Sequence, residues 1–509
     1  MHITENYKEL FVKNTFFGIA QQLISIVTTF FLLPYMIYRM GVESYGLWMI
    51  LKIFSIGGYL SLAGMGFEDS VVRYLTKFYV EENIEKFKKL YVSSLMLFFA
   101  IGVFCCVIIL FFNKYFFLTL FKIPDTHADQ MRLCLGVYAF SFLFQFPALV
   151  LKAYYTSIQD FSKLRLWETL NIVLFFSLIV TVMFFISSIL SVVFVETLVY
   201  FVLFMIFFFI PFKSHKEYYD LSIKYFSLNS LKDASGMTYY LFFNRIFGIG
   251  YNKMPQIIIA YFLTPSHVTY YSIISKIPRT LKLLQGMINS AVLPLAVSLD
   301  TLHYHDKMKN LFLRGTRYSF LFLTPIVVFA IICARDVLRL WMGVDYVFLA
   351  NYMRVYVLWQ YLTFFISFGS SMYTQREHFK YLLPYRILAN VTFLLAMIVF
   401  IKKLELWSIL IGLLLSGLII IYVNMNLIHK INRFSFYTFF NYVLKIPIIF
   451  GVLFCVAILL FLKVYVPFNN ILLIVTYAGI MYLFYLVFVY RYGLFDFERN
   501  DINSLLQKL

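Results

Sequence analysis

The chain has 509 residues, of which 62% are hydrophobic and only 13% are charged, with a formal net charge of +18. Soluble domains are about half apolar and a quarter charged, so this composition excludes an ordinary soluble protein and indicates lipid as the solvent. Most bases lie between apolar stretches, where they set membrane topology, so the positive charge does not predict a nucleic-acid partner.

Fourteen windows are apolar enough, over about 20 residues, to cross the hydrocarbon core as helices. We therefore predict an all-α membrane protein with about fourteen transmembrane helices. The predicted spans are 15–38, 45–65, 91–112, 131–155, 167–187, 189–211, 238–262, 268–298, 313–333, 351–374, 385–401, 405–427, 443–462 and 470–490.

The distribution of bases predicts the orientation of these spans. Most Lys and Arg residues between spans fall on the side that holds the N-terminus, which the positive-inside rule places in the cytoplasm. An even number of spans then puts the C-terminus on the same side. The polar first fourteen residues do not resemble a cleavable signal peptide. We predict a multi-pass protein of a bacterial cytoplasmic (inner) membrane with both termini cytoplasmic.

The connections suggest how the chain is divided. Residues 66–90 show an apolar helical stripe beside bases, typical of an interfacial amphipathic helix. Residues 212–237 form a basic cytoplasmic linker after six spans. The predicted parts are an N-terminal six-helix bundle (1–211), this linker, a C-terminal six-helix bundle (238–427), and two extra helices with a tail (428–509).

A weak internal repeat supports two related halves. The segment Tyr45–Ile53 aligns without gaps with Thr269–Ile277, and it places Lys52 over Lys276. The two segments begin spans that are six helices apart and share one orientation. Parallel six-helix halves would produce such a match.

Several basic side chains fall inside predicted spans, where charge is costly and usually faces a cavity or a partner. The candidates for substrate binding are Lys52, Arg245, Lys253, Lys276, Arg279 and Lys282. Glu196 is the only carboxylate well inside a window, so internal pairing cannot neutralise this set. An anionic guest, such as a pyrophosphate or an acidic sugar, would supply the missing charge.

Two alternatives stay open at this point. The eighth window is long, and Pro278 is able to break it, leaving its bases at the headgroups on an interfacial helix. Glu196 either carries a coupling proton or pairs with one of the cavity bases.

The sequence shows no catalytic constellation. It has no P-loop, no nucleophile elbow and no paired-carboxylate motif outside the membrane. The pair Glu68-Asp69 fits helix capping or gating better than catalysis. The five cysteines lack metal-ligand spacing, so we expect neither a metal site nor a cofactor. We predict that the chain is not an enzyme.

The N-terminal third carries motifs of a known family. They are Asn14-Thr15, Pro34-Tyr35, the segment 41–48 (Gly-Val-Glu-Ser-Tyr-Gly-Leu-Trp), Gly64-Met65-Gly66-Phe67 and Val71-Val72-Arg73-Tyr74. With these motifs and its span layout, the chain resembles the polysaccharide exporters of the O-antigen flippase type. Their superfamily also holds the multidrug exporters and the lipid II flippase.

The resemblance implies two pseudo-symmetric six-helix bundles with two extra C-terminal helices, working by alternating access. The implied substrate is an undecaprenyl-pyrophosphate-linked oligosaccharide unit, moved to the outer leaflet for surface polysaccharide such as lipopolysaccharide O-antigen or capsule. A cationic cavity is a family feature, and Lys52 and the bases of the eighth span occupy fitting positions. Membrane lipids, a polysaccharide polymerase and a chain-length regulator are the candidate partners.

The same residues disfavour three other functions. A multidrug or small-solute exporter would be expected to show carboxylates in its cavity, whereas this chain shows bases. A membrane polymerase or ligase would need a sizeable external loop, which the sequence lacks. A structural scaffold leaves the bases within spans unexplained.

Overall fold

A computed structural model describes residues 2–55, 63–64, 66–112, 120–121, 123–214, 217–235, 253–301, 305–373, 379–432, 436–465, 470–494 and 498–499. These residues form helices and turns and contain no strand. Backbone contacts divide the chain into two compact units, Met1–Thr269 (unit 1) and Tyr270–Leu509 (unit 2). The finer boundaries predicted at residues 211, 237 and 427 stay a prediction.

Unit 1 is built mainly from long apolar helices. In chain order the helices are α1 (His2–Met40), α2 (Val42–Leu51), α3 (Phe67–Val80), α4 (Ile84–Phe112), α5 (Asp125–Ser157), α6 (Phe161–Phe185), α7 (Ile189–Phe209), α8 (Pro211–Ser214), α9 (Leu228–Ser235) and α10 (253–262). Helix α1 packs along α6, while α5 packs against α3, α4 and α7.

Unit 2 continues with helices of the same kind. They are α11 (Pro265–Thr301, whose first turn belongs to unit 1), α12 (His305–Ile332), α13 (Ala334–Trp341), α14 (Ala350–Tyr373), α15 (Phe379–Leu404), α16 (Trp407–Asn432), α17 and α18 (Ile471–Phe488). Helix α17 starts at Phe436–Phe439, widens into a π-helix over Phe440–Gly451 and continues as Val452–Tyr465. Helix α18 ends in a π-helical turn, Val489–Gly493.

Ten helices in the described part are long and apolar enough to cross a membrane. They fall in ten of the fourteen predicted windows. Each of the other four windows, 45–65, 238–262, 268–298 and 351–374, includes residues outside the fully described part. The prediction of an all-α multi-pass membrane protein is confirmed. Helix α11 runs through Pro278 without a break, so the interruption considered there does not occur.

The turn between α1 and α2 depends on a glycine. Gly41 has φ +84°, in the region that L side chains rarely adopt. Five residues later, Gly46 lies so close to the carbonyl oxygen of Pro265 that an added Cβ would overlap it. The Thr269 hydroxyl donates to the Val42 carbonyl at 2.6 Å. These contacts fix the start of α2, the helix that leads to Lys52.

The described part of the predicted linker folds against unit 1. The buried Tyr219 donates its hydroxyl to the Phe208 carbonyl at 2.7 Å. Lys88 of α4 lies 3.7 Å from Asp220, and the Ser227 amide donates to the Ser93 hydroxyl at 2.8 Å. Residues 217–235 therefore pack against unit 1 and do not form a flexible linker.

The two C-terminal helices pack onto α12 within unit 2. Residues of α12, α17 and α18 share one apolar core, which includes Leu321, Cys455 and Tyr485. At the N-terminal half of α12, the Arg317 guanidinium lies 3.6 Å from a carboxylate oxygen of Glu498, and both side chains are almost fully buried. The Tyr318 hydroxyl donates to the other Glu498 oxygen at 2.7 Å.

Candidate functional site

The site in unit 1 is centred on Lys52, which stands where α2 ends. The α-helix stops at Leu51, and Lys52 opens a short 3₁₀ turn that closes with the Ser55 amide donating to the Lys52 carbonyl at 3.2 Å. The sequence placed Lys52 two turns inside a continuous span. The structure places it directly after the end of α2, where its side chain is 32% exposed.

Glu196 of α7 is the counter-ion of Lys52. The Lys52 ammonium lies 3.2 Å from one Glu196 carboxylate oxygen, and the Glu196 side chain is only 5% exposed. The other oxygen is buried and has no hydrogen-bond partner among the described residues. Of the two roles left open for Glu196, the structure shows pairing with a base. Within the described part of unit 1, this ion pair brings two of the predicted site residues together.

Aromatic rings flank the Lys52 ammonium. It lies 4.7 Å from the ring centre of Trp48 on α2 and 5.9 Å from that of Phe175 on α6. An ammonium over such a ring is attracted by the negative face of the π-system. The rings therefore hold the ammonium in a defined position without neutralising its charge.

Two cavities meet at Lys52. The larger, of about 200 Å³, lies between α1, α2 and α6, and the smaller, of about 50 Å³, lies between Lys52, α6 and α7. Polar residues of the larger cavity are Thr28, Thr29, Tyr45 and Asn171. Thr28 and Thr29 stand in the middle of the first apolar span, Phe17–Met40. The site is therefore at membrane depth.

Sequence reasoning missed some cavity residues that carried a readable signal. Trp48 is one helical turn before Lys52, so the two share a face of α2. Its indole nitrogen is buried without a hydrogen-bond partner in the described part. Asn171 is a lone amide in an apolar window, a pattern that marks functional positions in membranes. Tyr45 and Phe175 gave no such signal, because aromatic residues are abundant throughout.

The bases predicted on the eighth span lie on α11 in unit 2. Lys276 and Arg279 are half-buried and Lys282 is exposed. The Arg279 guanidinium lies 5.5 Å from the ring centre of Tyr271 and within 3.5 Å of its hydroxyl, and Tyr356 lies beside it. No carboxylate in the described residues is within ion-pair distance of Lys276 or Lys282.

Of the other two predicted site residues, the structure describes Lys253 but not Arg245. Lys253 is the first described residue of α10 and is half-buried. Arg245 lies outside the described residues. No cluster of side chains in the described part has the composition of a metal site.

The fold is shared with known transporters. A multidrug resistance MATE family transporter of the MOP superfamily, in an inward-facing conformation, is 15% identical, and the match covers 81% of this chain and 99% of that one at a TM-score of 0.67. The lipid II flippase MurJ, in an inward closed conformation, is 14% identical over 94% of this chain and 99% of that one, at 0.68.

A third structure has the same fold. It is a MOP superfamily transporter from Pyrococcus furiosus, described as having a binding pocket of reverse polarity. It is 14% identical over 83% of this chain and 97% of that one, with a TM-score of 0.54. These likenesses establish that the chain has the fold of MOP superfamily transporters.

Sequence comparisons give the family. No curated protein matches the chain. A family model described as "Polysaccharide biosynthesis protein" matches residues 39–350, which include α2, the Lys52–Glu196 pair and α11. Because this match covers more than half of the chain, the chain belongs to the polysaccharide biosynthesis protein family.

Proposed function

We propose that this protein is a flippase that moves an undecaprenyl-pyrophosphate-linked oligosaccharide unit from the inner to the outer leaflet of a bacterial cytoplasmic membrane. The observation that carries the proposal is the Lys52 ammonium, which lines a cavity of about 200 Å³ at membrane depth. A positive charge in a low-dielectric wall attracts an anionic group such as a pyrophosphate or an acidic sugar.

The lining of the larger cavity suits a sugar ring as well as an anionic group. Trp48, Tyr45 and Phe175 offer ring faces, and Asn171 offers an amide. The volume is below the range of about 300–1,000 Å³ that encloses drug-sized ligands. It therefore suits one charged group or ring of the substrate, while the remainder of the lipid-linked unit lies outside this cavity.

Glu196 is the candidate for ion coupling because it is the acid that pairs with Lys52, at 3.2 Å. The bases of α11 extend the proposal to unit 2. Lys276, Arg279 and Lys282 recur every three residues, which places them on one broad face of α11. We assign these bases, with Lys253 and Arg245, to the path of the anionic substrate.

The experiment that tests the proposal is lipid analysis of a deletion strain. Undecaprenyl-linked repeat units should accumulate on the cytoplasmic leaflet, and surface polysaccharide should be lost. Single units outside the cell would instead indicate a polymerase. Normal surface polysaccharide in the deletion strain would contradict the flippase function.

Complementation with point variants then tests the site. Lys52→Ala should fail to restore export although the protein is present in the membrane at the wild-type level. The matched control is Lys77→Ala, which removes an exposed base of α3 that pairs with Glu81 at 3.8 Å. Equal export by Lys52→Ala and Lys77→Ala would remove Lys52 from the substrate site.

A further inference from the structure

The two partners of the Lys52–Glu196 pair differ in their access to a ligand. Lys52 lines both cavities and is 32% exposed, whereas Glu196 lines only the smaller one and is 5% exposed. An anion that enters the larger cavity reaches the ammonium before it reaches the carboxylate. The incoming anion and Glu196 therefore compete for one positive charge.

Among the residues that the structure describes, the surroundings of Glu196 offer no replacement for that charge. Tyr138 of α5 and Tyr200 of α7 are the ionisable groups beside it, and both are neutral phenols when protonated. From α6 the smaller cavity receives Asn171 and Phe175, which do not ionise. Lys52 is the cation within ion-pair distance of Glu196 among the residues that the structure describes.

A carboxylate that loses its counter-ion in such a place is strongly destabilised. Removing one partner of a buried pair leaves a charge without compensation, and a buried group in that position neutralises itself by taking up a proton. The smaller cavity, of about 50 Å³, is large enough to hold a water molecule, which needs at least ~10–15 Å³. Water in that cavity gives the proton a route to the carboxylate.

From this geometry we infer that binding of an anionic group at Lys52 is coupled to the uptake of one proton by Glu196. The anion takes over the Lys52 ammonium, which keeps its own protons. The released Glu196 carboxylate accepts a proton from water and becomes a neutral carboxylic acid. The inference rests on the proposed function, which makes Lys52 the site of the substrate anion.

The sign of this coupling follows from linkage. Because the anion-bound form holds one more proton than the free form, the affinity for the anion rises as pH falls. Anion and proton thus promote each other's binding.

The test measures proton uptake on binding of farnesyl diphosphate, a prenyl diphosphate probe, to the full-length protein in lipid nanodiscs. Titration calorimetry in two buffers of different ionisation enthalpy gives the number of protons taken up. The wild type should take up about one proton more than Glu196→Gln with the same probe, a difference that cancels the probe's own protonation. Glu196→Gln should also bind about tenfold tighter at neutral pH, because no carboxylate competes for Lys52.

The matched control is Glu168→Gln. Glu168 lies near the start of α6, pairs with Arg165 at 2.8 Å and lines neither cavity, so this variant should behave as the wild type does. Should Glu196→Gln fail to fold, infrared difference spectra of the wild type provide the readout. Adding the probe should produce the carbonyl band of a protonated carboxyl group, and its absence would overturn the inference.

The outcomes separate the two proposals. If Lys52→Ala binds the probe as tightly as the wild type, Lys52 is not the anion site, and both the site assignment and this inference fail. If Lys52→Ala loses binding while the wild type and Glu196→Gln take up the same number of protons, only the inference fails. Binding that depends on sodium and not on pH would also overturn it.

Discussion

Two buried ion pairs, one in each unit, show how differently the same chemistry can be used. Lys52–Glu196 in unit 1 lines cavities, and its base is 32% exposed. Arg317–Glu498 in unit 2 is sealed, with side chains 0% and 3% exposed. The sealed pair joins α12 to the C-terminal segment and is held by a tyrosine hydroxyl.

The difference between the pairs lies in their access to a competing anion. In an open pair, the base can exchange its carboxylate partner for an anionic ligand, so its positive charge is available for binding. A sealed pair cannot, and its charges serve only to hold two segments together. We therefore expect loss of the first pair to affect export most and loss of the second to affect stability most.

The largest stability effect should follow from Arg317→Met. This change removes a cation that lies 3.6 Å from the buried Glu498 carboxylate, and breaking a buried ion pair costs about 3–5 kcal/mol. The apparent melting temperature of the purified protein should fall accordingly. The control is Arg339→Met, which removes one partner of a half-exposed pair with Asp336 at 3.7 Å. Equal melting temperatures for the two variants would mean that the sealed pair contributes no more to stability than the more exposed Arg339–Asp336 pair.

Lys52→Met should destabilise less, by roughly 1–3 kcal/mol, because the nearby cavities offer water to the Glu196 carboxylate. A strain with Lys52→Met should nevertheless lose polysaccharide export. A strain with Arg317→Met should retain export in proportion to the folded protein that remains. Thermal unfolding and polysaccharide export measured on the same two strains test this reversal. The comparison breaks down if Lys52→Met is the more destabilised variant and still exports.

Asp160→Ala, a change outside the membrane-spanning segments, should have a smaller effect on stability. Asp160 caps α6 by accepting from the Lys163 amide at 3.2 Å, and its side chain lies 2.8 Å from the Lys163 ammonium. Loss of such a cap costs about 1 kcal/mol. Export should follow the amount of folded protein, because Asp160 lines neither cavity.

The Asp160 cap also predicts a pH dependence. Burial disfavours the ionised form, but hydrogen bonds from Lys163 and Ser162 outweigh it and hold the pKa of Asp160 below its ordinary value of 3.8. A carboxylate with a lowered folded-state pKa stabilises the protein above its unfolded pKa, and this contribution is lost as pH falls through the folded value. The difference in melting temperature between wild type and Asp160→Asn should therefore vanish in strong acid.

The smallest net effect should come from replacing both sealed partners, with Arg317→Met and Glu498→Leu in one chain. A buried pair replaced by apolar residues of similar size is often neutral or stabilising. The double variant should melt within a few degrees of the wild type and well above Arg317→Met alone. If it melts as low as the single variant, the segment around Glu498 is held by the charges themselves.

The sequence predicted the ten described spans because each is a long apolar run, and lipid requires a helix to satisfy its own backbone. It also identified Lys52 and Glu196, since charge within an apolar window is conspicuous. It could not pair them, because 144 positions of chain separate the two residues. Helix periodicity describes one helix at a time and does not tell which faces meet.

The amino-acid sequence by itself determined that this protein lies in a membrane, that it is helical, and that bases outnumber acids within its spans. These properties follow from local composition, which acts through the transfer of each segment into lipid. Only the tertiary structure decided which charge is open and which is sealed. Burial depends on the packing of helices that are distant in the chain, so Lys52 borders a cavity while Arg317 is enclosed.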